Sequence, residues 1–484
     1  MGFLIFFLQF ESQNDCLIFI INRTTSLNPR MKLYCLSAIL AAVFLQTPTV
    51  SGSSTCKVGI GATKSGGYNE TSTNGQKHNI AIDLDPSCQN GSIEIELSNG
   101  AIKIFANMNT GAKQGRARRN RARRATEGSS PGESWYGQSS DGSEFNYVCD
   151  SNGNIFGSIV DTTDASVTQI RLDSDGSPIA VTIPASQFPA ETEPVINHDR
   201  DLEAESTINS NSNLLRGISS QIRTQHDRSL YNDEGGNLDV MIIWTRRAEC
   251  VAAGRGKYCI VDDVSTANMK GIIDLAVEET NAAYSLSGVD TELLLVHSYM
   301  LRDYVEASSR AFNTALKHIS SLADIRTERS SCGADLVALI IDDSQSCGIA
   351  YVGPSARRMF SVTAWNCATG YYSFGHEIAH NLGCEHDRGQ KDSCTSDLGN
   401  YNYGYRDPNG AFRTILAYNC NTDQCDTNPS SSCVRIQRFS TPDPAYTYNG
   451  KAIGTCLSDN ARRINEVKAA VAGYYPHTTR RDRE

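Results

Sequence analysis

The chain has 484 residues, 39% of them hydrophobic, which is enough for two ordinary domains that each bury a core. Its formal net charge is −10 despite a dense arginine cluster near residue 120, so a nucleic-acid partner is not expected. Sixteen cysteines are scattered along the chain rather than grouped as the CxxC repeats of structural zinc modules. Disulfides formed in an oxidising compartment explain them better.

The first apolar segments of the chain predict export. Residues 31–52 combine a charged start at Met31-Lys32, an apolar run over 33–45 and small residues at 50–52, which is the pattern of a signal peptide. Residues 1–30 are then an N-terminal extension that is untranslated or unused, and a longer signal anchor is the alternative. No other stretch is long and apolar enough for a transmembrane helix, so we expect a secreted, extracellular protein without a membrane anchor.

The region 53–235 is predicted to be rich in β-strands, because short alternating runs recur in it at 93–97, 102–105, 154–160 and 178–183. Sequons at Asn69 and Asn90 fit a glycosylated segment. The polar stretch 203–236 predicts a linker, and the domain boundary is placed there.

An arginine run at 116–124, RARRNRARR, contains two copies of R-x-R-R. In an exported protein such a run indicates cleavage by a basic-specific convertase, and a solvated charge run is the alternative. Processing by a convertase would leave a new N-terminus after Arg119 or Arg124, or after a second cut in the linker.

From residue 236 to 476 the pattern changes to alternating strands and helices. Strands are predicted at 238–244, 293–299, 334–341, 349–352 and 360–364, and helices at 265–283, 306–322 and 458–472. This order predicts an α/β domain in which helices pack on a mostly parallel sheet. Residues 477–484 are a short charged tail, and no appended adhesion module is expected.

A metal-binding pattern occupies residues 376–387, HEIAHNLGCEHD. His376 and His380 lie one helical turn apart on the same face, so both imidazoles can bind one metal ion. Glu377 lies on the neighbouring face, where it can hold a water molecule and act as its base. Gly383 can adopt a positive φ and end the helix, so that His386 supplies a third nitrogen. Three neutral histidines leave a fourth position open, as in a catalytic zinc site.

The extended pattern H-E-x-x-H-x-x-G-x-x-H-D resembles the signature of the metzincin clan, and Asp387 resembles its adamalysin/reprolysin branch. The resemblance covers about 238–475 and implies a metzincin-type catalytic domain at 236–476. Such a domain has a twisted, mostly parallel five-stranded sheet, an active-site helix and a small lower subdomain. The implied function is a zinc-dependent metalloendopeptidase that hydrolyses internal peptide bonds, with a catalytically inactive, zinc-containing binding protein as the alternative.

The resemblance also implies roles for residues outside the helix. Residues 347–352 resemble a rim strand that binds extended peptide by strand addition, with an ordinary edge strand as the alternative. Leu416 stands where the family has methionine, and this near volume-conserving replacement should preserve activity. Tyr418 resembles an extra ligand or transition-state donor of related enzymes, and a packed core tyrosine is the equal alternative. Asp387 is expected to be structural and to accept hydrogen bonds from the turn below. Calcium is not indicated, since an EF-hand loop is absent from the sequence and only an irregular site could bind it.

The resemblance extends more weakly to residues 53–235, which resemble a reprolysin-type propeptide and so imply a zymogen. Such propeptides often inhibit through a cysteine on the zinc. Three cysteines lie between the signal peptide and the linker: Cys56, Cys88 and Cys149. No local motif selects among them, and Cys149 is our candidate. The family's habit further implies the disulfides Cys347–Cys367 and Cys420–Cys433.

Overall fold

The computed structural model describes residues 56–63, 76–81, 92–97, 100–108, 134–196, 236–388, 400–420 and 433–475. Several predictions lie outside these residues: the extension 1–30, the signal peptide 31–52, both sequons, the arginine run 116–124, Cys88, the linker up to 235 and the tail 477–484. They stay predictions. In the described part of the chain, no helix combines the length and the apolar character needed to cross a membrane.

Nine strands of the N-terminal region close into a barrel. They are β1 (Cys56–Thr63), β2 (Gln76–Ala81), β3 (Ile93–Glu96), β4 (Ile102–Asn107), β5 (Ser134–Ser139), β6 (Glu144–Cys149), β7 (Ile155–Asp161), β8 (Ser166–Leu172) and β9 (Pro178–Pro184). Neighbouring strands are antiparallel except β1 and β3, whose parallel pairing closes the barrel. The alternating pattern explains the strands. In β3, Ile93 and Ile95 are buried, while Glu96 of the same strand is exposed.

Aromatic side chains fill the inside of the barrel. Phe145 lies 5.6 Å, centroid to centroid, from each of Phe105, Trp135 and Tyr147. The opposite face of β7, β8 and β9 is also buried, because Val160, Val167 and Val181 join the core of the C-terminal region. The barrel is therefore apolar on two sides, inward and towards its neighbour.

The C-terminal region is built on a five-stranded sheet in the order β11-β10-β12-β14-β13. The strands are β10 (Leu238–Thr245), β11 (Leu293–Leu301), β12 (Leu336–Ile341), β13 (Gly348–Ala350) and β14 (Phe360–Ala364). All neighbours are parallel except β13, which pairs antiparallel with β14 at the edge. β10, β12 and β14 are buried along their whole length, as their near-continuous apolar sequences predict.

Six helices occur in the described part of the chain: α1 (Arg246–Ala252), α2 (Asp263–Ser285), α3 (Ala311–Ser321), α4 (Ala323–Cys332), α5 (Ser373–Asn381) and α6 (Asn460–Val471). α2 begins with a capping box in which the Asp262 side chain accepts from the Ser265 backbone N–H, and the Ser265 side chain accepts in return. The predicted α/β class is confirmed, because helices alternate with the strands of a mostly parallel sheet.

The structure differs from the sequence prediction at two helices. The helix predicted at 306–322 begins at Ala311, because Glu306 turns its carboxylate inward to accept from the Thr245 hydroxyl. The helix α4 was not predicted, since only Ile325 and Arg329 of its ten residues are buried and its sequence lacks an apolar face.

The lower part of the C-terminal region consists of loops held by short strands and disulfides. Its strands are β15 (Phe412–Arg413), β16 (Val434–Arg435), β17 (Thr447–Tyr448) and β18 (Lys451–Ala452). The structure contains both disulfides that the resemblance implies, Cys347–Cys367 and Cys420–Cys433, and a third, Cys250–Cys259.

Buried polar contacts join the barrel to the C-terminal region. Glu144 of β6 accepts from Arg438 Nη1 at 2.9 Å and from the Tyr372 hydroxyl at 3.0 Å. Gln169 of β8 donates to the carbonyls of Asn366 and Thr369, which precede α5. The barrel is thus bonded directly to the loop that leads into the HExxH helix.

Candidate metal centre

The helix α5 carries the first two histidines and is buried along its whole length. The Nε2 atoms of His376, His380 and His386 lie 3.0 Å from one another in all three pairs. Among the described residues these three form the group whose ligand atoms come together as a metal site requires. The separation is close to the value of about 3.3 Å expected for nitrogens at 2.0–2.1 Å from a tetrahedral ion.

The other ring nitrogens fix the tautomers of two histidines. His376 Nδ1 lies 2.8 Å from the Ile415 carbonyl oxygen, and His380 Nδ1 lies 2.8 Å from the Cys384 carbonyl oxygen. A carbonyl oxygen only accepts, so each Nδ1 donates and each Nε2 presents a lone pair to the centre. Burial, followed by the neighbouring imidazoles, lowers the pKa of both side chains well below the usual range. Neutral lone pairs that converge in this way repel unless they share a cation, so the donor set fits a metal ion.

The carboxylate of Glu377 is buried beside the three nitrogens. Neither of its oxygens has a hydrogen-bond partner among the described residues. Burial, and then the charge of Glu191, raises the pKa of Glu377 well above its usual range, while Arg435 lowers it. An unpartnered buried carboxylate is costly, and its persistence next to a metal site indicates a group that binds a water or substrate proton.

Gly348 of the edge strand β13 makes room for this carboxylate. A Cβ atom at position 348 would lie 2.3 Å from Glu377 Oε1, which is a steric collision. This role was not predicted from the sequence, although the glycine lies inside the predicted rim segment.

The chain returns to the third histidine after a turn at Gly383, whose φ is +84°. A side chain there would collide with the Gly353 carbonyl oxygen at 2.8 Å as well as adopt an unfavourable φ. Beyond His386, the Asp387 carboxylate accepts from the Tyr418 backbone N–H at 2.8 Å and from Arg406 Nη2 at 2.7 Å. Asp387 therefore ties the histidine segment to the turn that contains Leu416, whose side chain is fully buried in the main core.

Tyr418 lies beside the third histidine. Its ring centroid is 4.1 Å from that of His386, and its hydroxyl donates to Glu193 Oε1 at 2.9 Å. Glu193 Oε2 is 3.8 Å from His386 Nδ1, and His386 and Tyr418 together lower the pKa of Glu193. Tyr418 is half-buried, and its hydroxyl contacts a residue from the N-terminal half of the chain rather than the core.

The residues that contact the site from the N-terminal half are 190–195, here called the cleft segment. The cleft segment follows the barrel and lies parallel to the edge strand, with a β-bridge between Val195 and Tyr351. Cys347 N–H donates to the Ala190 carbonyl, Thr192 N–H to the Gly348 carbonyl and Val195 N–H to the Ala350 carbonyl, at 3.2, 3.1 and 2.8 Å. The edge strand of the sheet is thereby paired on both sides, and the cleft segment lies where strand addition would seat a peptide.

A second carboxylate of the cleft segment enters a polar pocket. Glu191 Oε1 accepts from Arg435 Nη1 at 2.8 Å and from the Ser373 hydroxyl at 2.6 Å. Both ionic side chains are buried, with 1% exposure for Glu191 and 3% for Arg435. Neither residue was singled out from the sequence, because a glutamate in a polar segment and an arginine 49 positions beyond His386 carry no local motif.

The structure places Cys149 at the end of β6, where it packs against the core inside the barrel. It is not a member of the cluster of potential metal ligands found among the described residues. The residues of the N-terminal half that the structure brings to the site are Glu191 and Glu193.

Comparison with known proteins agrees with this geometry. Residues 245–442 match the model of the reprolysin-like metallo-peptidase family M12B. A peptidyl-Asp metalloendopeptidase of Stenotrophomonas maltophilia (strain K279a) is 36% identical over 217 residues, which are 43% of this chain and 48% of that protein. A peptidyl-Asp metalloendopeptidase of Xanthomonas campestris pv. campestris is 35% identical over 214 residues, which are 43% of this chain and 47% of that protein. That of Pseudomonas fragi is 41% identical over 113 residues, 23% of this chain and 65% of that protein.

The chain spans about half the length of the first two of these relatives. The matched region contains the three histidines, Glu377, the rim strand and the Arg435 pocket. Residues 245–442 of this chain are thus similar to the reprolysin-like metallopeptidases of family M12B.

Proposed function

We propose that this protein is a secreted, zinc-dependent metalloendopeptidase that is made as a zymogen. The observation that carries the proposal is the convergence of three histidine Nε2 atoms, 3.0 Å apart, next to a buried carboxylate without a partner. Three neutral imidazoles with a fourth position open are the donor set of catalytic zinc sites, whereas structural sites use four protein ligands.

The histidines, Glu377 and the edge strand β13 have separate roles in the proposed hydrolysis. Zinc, when bound by His376, His380 and His386, supplies Lewis-acid polarisation of the scissile carbonyl and makes water more acidic. Glu377 takes the proton of the attacking water and passes it to the leaving amine, a role that suits a carboxylate whose pKa burial raises. The edge strand β13 binds the peptide backbone and holds the scissile bond over the site.

The relatives' name suggests the bonds that are cleaved. The proteins named peptidyl-Asp metalloendopeptidase share 35–36% identity over this region in two cases. We therefore propose that the substrates are proteins or peptides cut at aspartate, in extended segments that can add to β13.

The barrel and the cleft segment would keep the enzyme inactive before processing. The cleft segment pairs with β13 and so occupies the place of a substrate strand. Its removal requires a cut after residue 196, and the polar stretch up to residue 235 is the predicted site, whereas a cut in the arginine run at 116–124 alone would leave the cleft segment attached. In the proposed zymogen the main-chain pairing of the cleft segment with β13 already covers the cleft, so a cysteine on the metal is not required.

Cleavage of unfolded casein tests the proposed activity. The secreted protein is assayed with and without a zinc chelator, next to a Glu377→Ala variant and a Glu328→Ala variant. Glu328 is a partly exposed carboxylate of α4 that contacts His297, so its loss controls for the substitution itself. We expect cleavage to disappear with chelator, to return when zinc is restored, and to fall by about 10²–10⁴-fold in Glu377→Ala.

Processed protein that binds zinc but cleaves nothing would contradict the proposal and favour the inactive binding scaffold. Intact-mass analysis of the secreted protein tests the zymogen separately. A mature protein from which only the signal peptide is missing, yet which is fully active, would contradict the zymogen while leaving the peptidase in place.

A further inference from the structure

The pocket around Arg435 is built from the parts of the metal centre. Ser373 begins the helix α5, so it stands one helical turn before Glu377 and three positions before His376. Arg435 Nη1 also donates to the Tyr371 carbonyl at 2.8 Å, which fixes the guanidinium beside the start of this helix. Since the Ser373 hydroxyl and Arg435 both bind Glu191, a side chain in this pocket lies about one helical turn from Glu377.

Two arginines line the pocket. Arg413 and Arg435 are opposite each other in the parallel pair β15–β16, and both guanidinium groups lie over the ring of Tyr371, at 5.6 and 4.4 Å. Arg413 donates to the Ala417 carbonyl and to the Tyr371 hydroxyl, which are uncharged acceptors. Burial, and then the charge of Arg435, lowers the pKa of Arg413 to about 10.

Glu191 forms an ion pair with Arg435, and among the described residues Arg413 has no ion pair of its own. The second oxygen of Glu191, Oε2, is buried and has no hydrogen-bond partner there. The pocket thus has more positive charge than its occupant balances. Moreover, the occupant is bound by donors on the C-terminal region, namely Arg435 and Ser373, which remain when the cleft segment leaves.

Removal of Glu191 leaves Arg435 without its ionic partner next to the metal centre. Once a substrate covers the pocket again, an unpaired arginine charge would be buried at a large cost, so the pocket favours a ligand that brings a carboxylate. A neutral side chain of the same shape, such as asparagine, would leave the charge uncompensated. Discrimination between an acidic and a neutral side chain is strong, because the neutral one leaves a charged group of the site unpaired in addition to losing a hydrogen bond.

We propose that Arg435 is the residue that selects an acidic side chain of the substrate next to the scissile bond, and that Glu191 fills this subsite as an internal stand-in while the cleft segment is bound. The proposal rests on the proposed peptidase function and adds the residue that sets its specificity. It also assigns the cleft segment a substrate-like contact, in addition to its main-chain pairing with β13.

Paired peptides test the subsite. After the full chain has been processed and its N-terminal part has dissociated, kcat/KM is measured on peptides that are identical except for Asp, Glu, Asn or Ala at one position. We expect wild-type enzyme to prefer Asp over Asn by about 10–100-fold, as the loss of a charge-assisted hydrogen bond predicts. In Arg435→Gln the ratio should fall to near one.

Arg438→Gln is the matched control, because Arg438 is a buried arginine of the same segment that contacts Glu144 of the barrel instead. Its Asp-to-Asn ratio should equal that of wild type. If Arg435→Gln does not fold, Arg435→Lys keeps the charge on a different, flexible stem. The lysine variant should retain a preference for acidic over neutral side chains but change the ratio of Asp to Glu.

The stand-in role is tested in the unprocessed chain. Glu191→Gln is compared with wild type and with Glu193→Gln, which alters a carboxylate that is 67% exposed in the same segment. We expect residual cleavage by intact chain, verified by mass, to rise about 10-fold in Glu191→Gln and by less than about twofold in Glu193→Gln.

The outcomes separate the two levels of the proposal. Absence of cleavage of every peptide by processed, zinc-loaded wild type would overturn the peptidase function. Cleavage without preference for acidic side chains, or a preference that Arg435→Gln leaves intact, would overturn the subsite alone. Equal residual activity in Glu191→Gln and wild-type chain would overturn the stand-in role.

Discussion

Two buried ion pairs connect the N-terminal half of the chain to one short stretch of its C-terminal region. Arg435 binds Glu191 of the cleft segment, and Arg438 binds Glu144 of the barrel, at 2.8 and 2.9 Å. All four side chains are at most 4% exposed. The chemistry of the two pairs is the same, but their surroundings differ.

Glu144 has three strong donors around it: Arg438, the Tyr372 hydroxyl and the Gln437 backbone N–H. Glu191 has two, and both belong to the mouth of the metal centre. The fully bonded pair docks the barrel, whereas the partly bonded pair occupies a site that another carboxylate can enter. The role of a buried ion pair therefore depends on which other groups its two side chains contact.

The largest expected effect separates docking from occupation. Glu144→Gln leaves Arg438 charged and buried without an ionic partner, so the free energy of unfolding of the full chain should fall by about 3–5 kcal/mol. Urea unfolding of the wild-type and Glu144→Gln chains measures this difference in the free energy of unfolding. If Glu144→Gln raised the residual cleavage by the intact chain as much as Glu191→Gln does, both ion pairs would inhibit the enzyme equally, and the distinction between them would be wrong.

The docking surface should also depend on pH. Glu279 of α2 is buried there, accepts from the Ser158 hydroxyl of the barrel and from the Gly370 N–H, and burial raises its pKa from 4.5 to about 8. A raised pKa means that the docked state binds the proton more tightly, so this contribution is complete below about pH 4.5 and is lost as the pH rises to about 8. Between these values docking should weaken by about 1.4 kcal/mol per pH unit.

Chemical denaturation of the full chain from pH 5 to pH 8 measures this dependence, with Glu279→Gln as the neutral control. Glu144, which lies close enough to raise the pKa of Glu279, is kept unchanged in both proteins. A slope that persists in Glu279→Gln would assign the pH dependence to another group.

A smaller effect is expected on the cleft side at Tyr418. Its hydroxyl binds Glu193 in the full chain and is released when the cleft segment leaves. If it then donates to the substrate in the transition state, Tyr418→Phe should lower kcat by about 10-fold with little change in KM. Kinetics of the processed enzyme measure this. A change of less than twofold would leave Tyr418 as a residue that only packs on His386.

The smallest effect is expected beneath the metal centre. Leu416 is fully buried, and Leu416→Met nearly conserves its volume, so stability should change by less than about 1.5 kcal/mol and activity by less than about twofold. Thermal unfolding and casein cleavage are sufficient to measure both. A large gain of activity in Leu416→Met would mean that the thioether has a role that packing does not explain.

Much of the metal centre could be predicted because it is local. His376, Glu377 and His380 lie within five residues of one helix, and Gly383 turns the chain to His386 only three positions later. Helical geometry alone brings such residues together. The α/β order was predictable for a similar reason, since the strands β10 and β12 carry near-continuous apolar runs that only a sheet covered on both faces can bury.

The occupants of the cleft were not predictable from the sequence, because they come from far along the chain. Glu191 meets Arg435 across 244 positions and Tyr418 meets Glu193 across 225. Pairings of that separation follow no periodicity, and their residue types are ordinary at an exposed surface. The choice of Cys149 as the inhibitory residue rested on residue type alone, whereas the structure brings carboxylates to the site.

The sequence by itself thus determined the grouping of the three histidines with Glu377 and the class of the C-terminal domain, because short-range geometry dictates both. The tertiary structure alone decided what lies across the edge strand and which arginine pairs with Glu191. Those contacts depend on how the barrel packs against the C-terminal region, and that packing is fixed by shape and buried polar bonding between distant segments.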